Sequence, residues 1–186
     1  PSHMSFVVYG VVFGVLLALA GLAAAVLLPR HENAWRWLPR DRRAGAVLGV
    51  VCMGWLVVSV WPVLEDDWAR LRTLLPPLAI LLTAGAVLWL DFLLTRAVGG
   101  FALLSSTWLL THAFAEGPPA RWLLSLACYV IGVAGMFMIG APWRFRDVLE
   151  HAGKRRALRR TVAAALVVLG LICAGVALGA LRDSGT

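Results

Sequence analysis

The fold depends on one long apolar stretch that a carboxylate and an arginine interrupt: LLPPLAILLTAGAVLWLDFLLTRAVGGFALLSSTWLLTHAFA, residues 74–115. A helix needs about 20 apolar residues to cross the ~30 Å hydrocarbon core of a bilayer. Leu74–Thr95 and Ala97–Ala115 both come close to that length, and only Arg96 and a turn at Gly99-Gly100 separate them. The stretch therefore predicts two crossings. The alternative is one crossing followed by a re-entrant half-helix at Phe101–Ala115.

The composition of the whole chain is that of a membrane protein. Of its 186 residues, 61% are hydrophobic and 15% are charged, whereas about a quarter of a soluble domain is charged. These values exclude a soluble enzyme, a disordered chain and a disulfide-stapled secreted module. Because most of the chain belongs in lipid, the net charge of +7 does not indicate a nucleic-acid partner.

Four further segments have spanning length, which makes six in all. They are Ser5–Leu28, Ala44–Leu64, Arg121–Ala141 and Thr161–Leu181. The first lacks a basic leader and a small-residue cleavage site, so we expect a spanning helix and not a signal peptide. Residues 1–3 are expected to be a cloning remnant. Residues 4–186 are predicted to form a single all-α polytopic transmembrane domain, a bundle of six helices.

Charge distribution predicts the orientation. With six crossings, 29–43, 96 and 142–160 share one side. With Asp91 counted on it, this side carries 13 basic and five acidic residues, a net of +8. The other side has a net charge of −1. Since basic loops stay in the cytoplasm, both termini are predicted to lie outside, in a bacterial inner (plasma) membrane. A re-entrant fourth segment would place the basic loop 142–160 outside, against this rule.

No cofactor or metal site is expected. The three cysteines lie singly in different spans without a C-x-x-C motif: Cys52, Cys128 and Cys173. A haem held by two histidines needs them at one depth. Only His112 is predicted to lie within the membrane. Asp147, Glu150 and His151 have helical spacing suited to a metal ion, but no second ligand set accompanies them.

Polar residues inside the predicted spans favour a transport function. Asp91 lies at membrane depth, where a carboxylate is costly unless it is paired, protonated or hydrated. Its predicted partner is Arg144, and a purely structural ion pair is the alternative. Ser105, Trp108 and His112 have the spacing of a single helical stripe. The leading hypothesis is a channel or transporter for an ion or small solute, with a path between helices 3, 4 and 5 and His112 as its outer gate. The alternative for the stripe is that its hydroxyls bond their own helix.

The cytoplasmic segment 143–160 favours a second function. Phe145, Val148, Leu149 and Ala152 share one helical face and are followed by basic residues, a pattern typical of a short interfacial helix. The alternative function is therefore a membrane enzyme or accessory factor for phospholipid or lipid-linked substrates. Anionic membrane lipids would be its partners. The predicted headgroup contacts are Arg40, Arg42, Arg43, Arg146, Lys154, Arg155 and Arg156.

A third alternative is a structural subunit of a membrane complex or of a homo-oligomer. Small-residue pairs of the G-x-x-x-G type allow close helix packing within or between chains. They are Gly10/Gly14, Gly45/Gly49 and Gly175/Gly179. A faint similarity with an offset of 53 residues relates Arg43 and Trp55-Leu56 to Arg96 and Trp108-Leu109. It predicts either a parallel repeat or a chance resemblance of apolar helices.

Overall fold

The computed structural model describes residues 2–30, 41–61, 69–89, 92–118 and 120–183. Within these ranges there are seven helices and no strand, so the prediction of an all-helical chain is confirmed. The helices are α1 (Ser2–Arg30), α2 (Arg42–Val60), α3 (Ala69–Trp89), α4 (Leu93–Glu116), α5 (Arg121–Gly140), α6 (Pro142–Lys154) and α7 (Arg156–Asp183).

Five of the described helices are long and apolar enough to cross a membrane. Their apolar parts are Met4–Val26, Arg42–Val60, Leu93–Glu116, Arg121–Gly140 and Arg156–Leu181. The apolar part of α3, Thr73–Trp89, is shorter. The chain is thus a helical protein with several segments suited to a membrane.

Glycines bring two pairs of antiparallel helices into backbone contact. Along α1 and α7, a Cβ on Gly10 would lie 2.6 Å from Ala177 Cβ, and one on Gly21 would lie 2.7 Å from the Ala163 carbonyl oxygen. Residue numbers rise along α1 as they fall along α7, so the two helices run in opposite directions. α4 and α5 meet in the same way, through Gly99.

The G-x-x-x-G pattern identified only some of these contacts. Gly10 and Gly14 both pack against α7, but the partner of Gly14 is Gly170, which belongs to no such pair. A Cβ on Gly49 or Gly175 would meet nothing within 4 Å among the described residues. Spacing indicates which helix faces are small, but the neighbouring helix determines which of them are used.

α2 runs parallel to α4, and α3 runs in the opposite direction. Gly45 near the start of α2 lies against Leu94 near the start of α4, and further along both helices Trp55 contacts Phe101. The guanidinium of Arg42 donates a hydrogen bond to the Leu88 carbonyl, with 3.2 Å between nitrogen and oxygen. The end of α3 therefore lies beside the start of α2.

The break between α3 and α4 falls earlier than the sequence suggested. α3 ends at Trp89, and Phe92 precedes α4 with a φ of 59°, in the left-handed region. Arg96, predicted to lie between the helices, is in the first turn of α4. The predicted turn at Gly99 is instead a packing contact, where a Cβ would lie 2.7 Å from the Gly135 carbonyl oxygen.

The start of α3 also differs from the prediction. The predicted span began at Leu74, but α3 begins at Ala69, and Pro76 and Pro77 lie inside the helix. Since proline has no N–H, the carbonyls four residues earlier lose their helical donors. The start of the fifth span agrees with the prediction, because α5 begins at Arg121.

The two antiparallel helix pairs share a buried core at one end of the bundle, and α6 contacts all four of their helices at the other end. The buried core lies near the starts of α1 and α5 and the ends of α4 and α7; its fully buried members include Phe6, Leu109, Leu124 and Cys173. At the opposite end, α6 contacts α1, α4, α5 and α7. Ala152, on the predicted apolar face of α6, is buried. The predicted short helix is present, while its position at a membrane interface stays a prediction.

The glycine contacts between α1 and α7 lead to a stability prediction. Gly14→Ala places a Cβ 2.5 Å from the Gly170 carbonyl oxygen, so it should lower the free energy of unfolding by about 1–3 kcal/mol. Gly175→Ala, on the open side of α7, should leave it unchanged or raise it by up to about 1 kcal/mol. Unfolding in mixed micelles measures both variants. Equal effects of the two would contradict the packing.

Candidate functional site

Basic side chains gather at one end of the bundle. The directions of the helices place the end of α1, the starts of α2, α4 and α7, the end of α5, and α6 together at this end, which we call the basic end. Among the side chains that the structure describes at this end, ten are basic and three are acidic. The basic ones are Arg42, Arg43, Arg96, Arg144, Arg146, Lys154, Arg155, Arg156, Arg159 and Arg160, and the acidic ones are Asp41, Asp147 and Glu150.

Helix termini add to the positive potential of the basic end. An α-helix carries a partial positive charge at its N-terminus, and α2, α4 and α7 all begin here. The N-terminus of α2 is capped by Asp41, whose carboxylate accepts from the amides of Arg43 at 3.0 Å and Ala44 at 3.3 Å. No side chain caps α4 in the described structure.

Few of these cations are paired with acidic groups. Lys154 Nζ donates to Glu150 Oε1 at 2.6 Å, and this hydrogen bond lowers the pKa of the Glu150 carboxyl group. Arg146 lies 3.4 Å from Asp147 Oδ1, which is a weak contact. Seven of the ten cations are exposed on the surface. They are Arg42, Arg43, Arg144, Lys154, Arg155, Arg156 and Arg160. Arg40 lies outside the described residues.

Three buried polar atoms at the basic end have no hydrogen-bond partner among the described residues: Thr95 Oγ1, Arg96 Nε and Arg146 Nε. Arg146 was among the predicted headgroup contacts, but Thr95 was missed. Thr95 is 1% exposed and lies in the first turn of α4. Only the position of the helix start could have drawn attention to it.

A second feature is a cluster of aromatic rings between α1, α2 and α4, which we call the aromatic cluster. Tyr9 has its ring centroid 4.4 Å from that of Trp108 and 5.6 Å from that of Trp55. Phe13 and Phe101 complete the cluster, with their ring centroids 6.2 Å apart. The Tyr9 hydroxyl donates to Ser105 Oγ at 2.8 Å, which satisfies a fully buried serine.

The predicted polar stripe exists, but it faces other helices than expected. Ser105 and Trp108 contact Tyr9 of α1, and His112 stacks on Trp108 with ring centroids 3.8 Å apart. His112 Nδ1 also lies 2.9 Å from the Trp108 carbonyl oxygen of its own helix. The stripe thus lines the contact with α1, whereas the predicted path ran between the third, fourth and fifth helices.

The remaining predicted path residues are not brought together by the described structure. Arg144 is exposed on α6. Asp91 lies outside the described residues, so its pairing with Arg144 stays a prediction. Two other hydroxyls of α4 bond their own helix, as the alternative interpretation predicts for this helix. Thr107 and Thr111 each donate to a carbonyl one turn earlier.

The described residues contain no group of three or more metal-ligating side chains. The three cysteines are free and buried. No family, curated protein or solved structure matches this chain. What the fold defines is therefore a class, a helical membrane protein with one strongly basic end.

The hydrogen bond between Tyr9 and Ser105 can be tested by a double-mutant cycle. Tyr9→Phe and Ser105→Ala should not be additive, and their coupling energy should be about 0.6 kcal/mol, the average for such bonds in membranes. Unfolding in mixed micelles gives the four free energies. Thr107→Val is the control. Combined with Tyr9→Phe it should be additive, because the Thr107 hydroxyl donates to a carbonyl of α4 itself. Additivity of Tyr9→Phe with Ser105→Ala would disprove the contact.

Proposed function

We propose that the chain is a small bacterial inner-membrane protein with six crossings and both termini outside, whose basic end binds anionic phosphate headgroups in the cytoplasmic leaflet. The substrates or ligands would be phospholipids or lipid-linked phosphates. The observation that carries this proposal is the excess of ten cations over three acidic residues at the basic end.

Helix directions support the six crossings. Because α2 and α4 are parallel, the chain between them must return across the bundle, and α3 supplies that return. With 21 residues, α3 is about 31 Å long, and α4 with 24 residues is about 36 Å long. The length of α4 suits a full crossing, and its continuity argues against a re-entrant half-helix. The apolar part of α3, Thr73–Trp89, is at the lower limit of about 17 residues for a crossing.

Charge and exposed tryptophans support the orientation and the lipid. Basic residues are retained on the cytoplasmic side, where each contributes about 1 kcal/mol of attraction to an anionic leaflet. Trp89 is 89% exposed and Trp143 is 53% exposed. Both lie at the basic end, and tryptophan is enriched at the level of the headgroups.

Lipid selectivity tests the proposal. We expect the purified protein to retain phosphatidylglycerol in preference to phosphatidylcholine, as native mass spectrometry would show. The triple variant Arg43→Gln, Arg155→Gln, Arg156→Gln should weaken this preference by up to about a hundredfold, because each charge contributes about 1 kcal/mol.

The matched control is Arg121→Gln, a single exposed arginine at the start of α5, at the opposite end of the bundle. It should leave the preference unchanged. Equal retention of the two lipids by the wild type would refute the proposal. So would a loss of selectivity in the control as large as in the triple variant.

Transport is the second candidate, favoured by a run of adjacent side chains within the bundle. Tyr9 contacts both Ser105 and Trp108, and Trp108 stacks on His112. If ions pass here, proteoliposomes should show potassium or proton flux above that of empty vesicles. His112→Ala and Asp91→Asn should each alter the flux severalfold, while Thr107→Val should not. Flux at background in the wild type would eliminate this candidate.

A further inference from the structure

The N-terminus of α4 differs from that of α2 in having no side-chain cap. The residue before α4 is Phe92, which has no side-chain oxygen. The first amides of a helix have no partner within the helix and carry partial positive charge. α2 covers the amide of Leu94, since a Cβ on Gly45 would lie 2.6 Å from that nitrogen. The other amides of this first turn, those of Leu93 and Thr95, receive no side-chain cap.

Thr95 supplies the second observation. Its side chain is almost fully buried, and its hydroxyl has no partner among the described residues. Ser106, Thr107 and Thr111 of the same helix each donate to a carbonyl four residues earlier. Thr95 has no such acceptor within α4, because the helix begins at Leu93. The Cα–Cβ bonds of a helix tilt toward its N-terminus, so the Thr95 side chain lies over the uncapped first turn of α4.

Two arginines of the basic end have buried atoms without a partner in the described structure. Arg96 follows Thr95, and its Nε is buried without a partner in the described structure, as is Nε of Arg146. Arg146 belongs to α6, which contacts α4. Its only acidic contact in the described residues is the 3.4 Å approach to Asp147. The Arg146 side chain as a whole is 39% exposed, so only its Nε–H is both buried and without an acceptor. An anion is the stronger partner for such an N–H, because hydrogen bonds between charged groups are stronger than neutral ones.

We propose that the start of α4 is a phosphate-binding site. The Thr95 hydroxyl and the amides of Leu93 and Thr95 donate to the phosphate oxygens, and Arg96 and Arg146 neutralise its charge. This deepens the proposed function, on which it rests, by separating one specific buried site from the general attraction of the exposed cations. The same chemistry fits the phosphodiester of a lipid headgroup or a soluble phosphate.

Thermal unfolding in phosphatidylcholine nanodiscs tests the site. Phosphatidylglycerol in the bilayer is one arm, and inorganic phosphate added to phosphatidylcholine alone is the other. Thr95→Val should lower the affinity for the stabilising ligand about tenfold, as expected for the loss of a hydrogen bond to a charged group. Arg96→Gln and Arg146→Gln should weaken it further. Thr95→Ser keeps the hydroxyl and should behave like the wild type, as should the control Thr107→Val.

The ligand-free protein separates binding from structure. Without ligand, Thr95→Val should unfold at the same temperature as the wild type or higher, because it removes a buried hydroxyl that has no partner. Response to phosphatidylglycerol alone identifies a lipid, and response to inorganic phosphate identifies a soluble source. Both responses, if lost in Thr95→Val, support the site.

Two results would overturn the inference. If phosphatidylglycerol stabilises Thr95→Val as much as the wild type, while the triple variant loses selectivity, the proposed function stands and the buried site does not exist. If neither probe stabilises the wild type, the site is refuted as well. Phosphatidylglycerol retained no better than phosphatidylcholine in the separate lipid experiment refutes the proposed function itself.

Discussion

Close approach of helix backbones is the constraint on which the rest of this structure depends. Within a bilayer, lipid tails are as apolar as leucine, so helices associate through packing and not through escape from water. Gly14 and Gly170 remove the side chains that would hold α1 and α7 apart, and Gly99 and Gly135 do the same for α4 and α5. These two antiparallel pairs are the framework.

The positions of all other elements follow from these pairs. They meet at the end where Phe6 and Leu109 are buried, and α6 fills the space between them at the basic end. α2 packs on α4, and α3 packs mainly on α2. Most of the apolar surface of α3 is thus free to face lipid or another protein, as the exposed Ile80 and Leu81 illustrate.

Much of the fold could be predicted because hydropathy and charge are properties of whole segments. The helical class and the amphipathic pattern around Ala152 agree with the structure. The start of α4 could not be predicted in this way. A left-handed Phe92 carries no glycine signal, and the Gly99 that resembled a turn serves as a packing surface.

The candidate sites, too, were predictable only in part from the sequence. The stripe of Ser105, Trp108 and His112 follows from helical spacing, but its contact with Tyr9 required knowing that α1 lies against α4. Thr95 has no distinguishing neighbours in the sequence. Its importance arises from the lack of an acceptor in its own helix and from its burial in the bundle.

The amino-acid sequence alone determined a helical membrane protein, because a run of about 20 apolar residues is long enough to cross a bilayer wherever its exact ends fall. The sequence also concentrates most of the positive charge in a few segments. Which helices touch, where α3 gives way to α4, and which polar atoms lack a partner were settled only by the tertiary structure. These features depend on atoms that are far apart in the sequence, such as Gly45 over the Leu94 amide, and no local pattern records them.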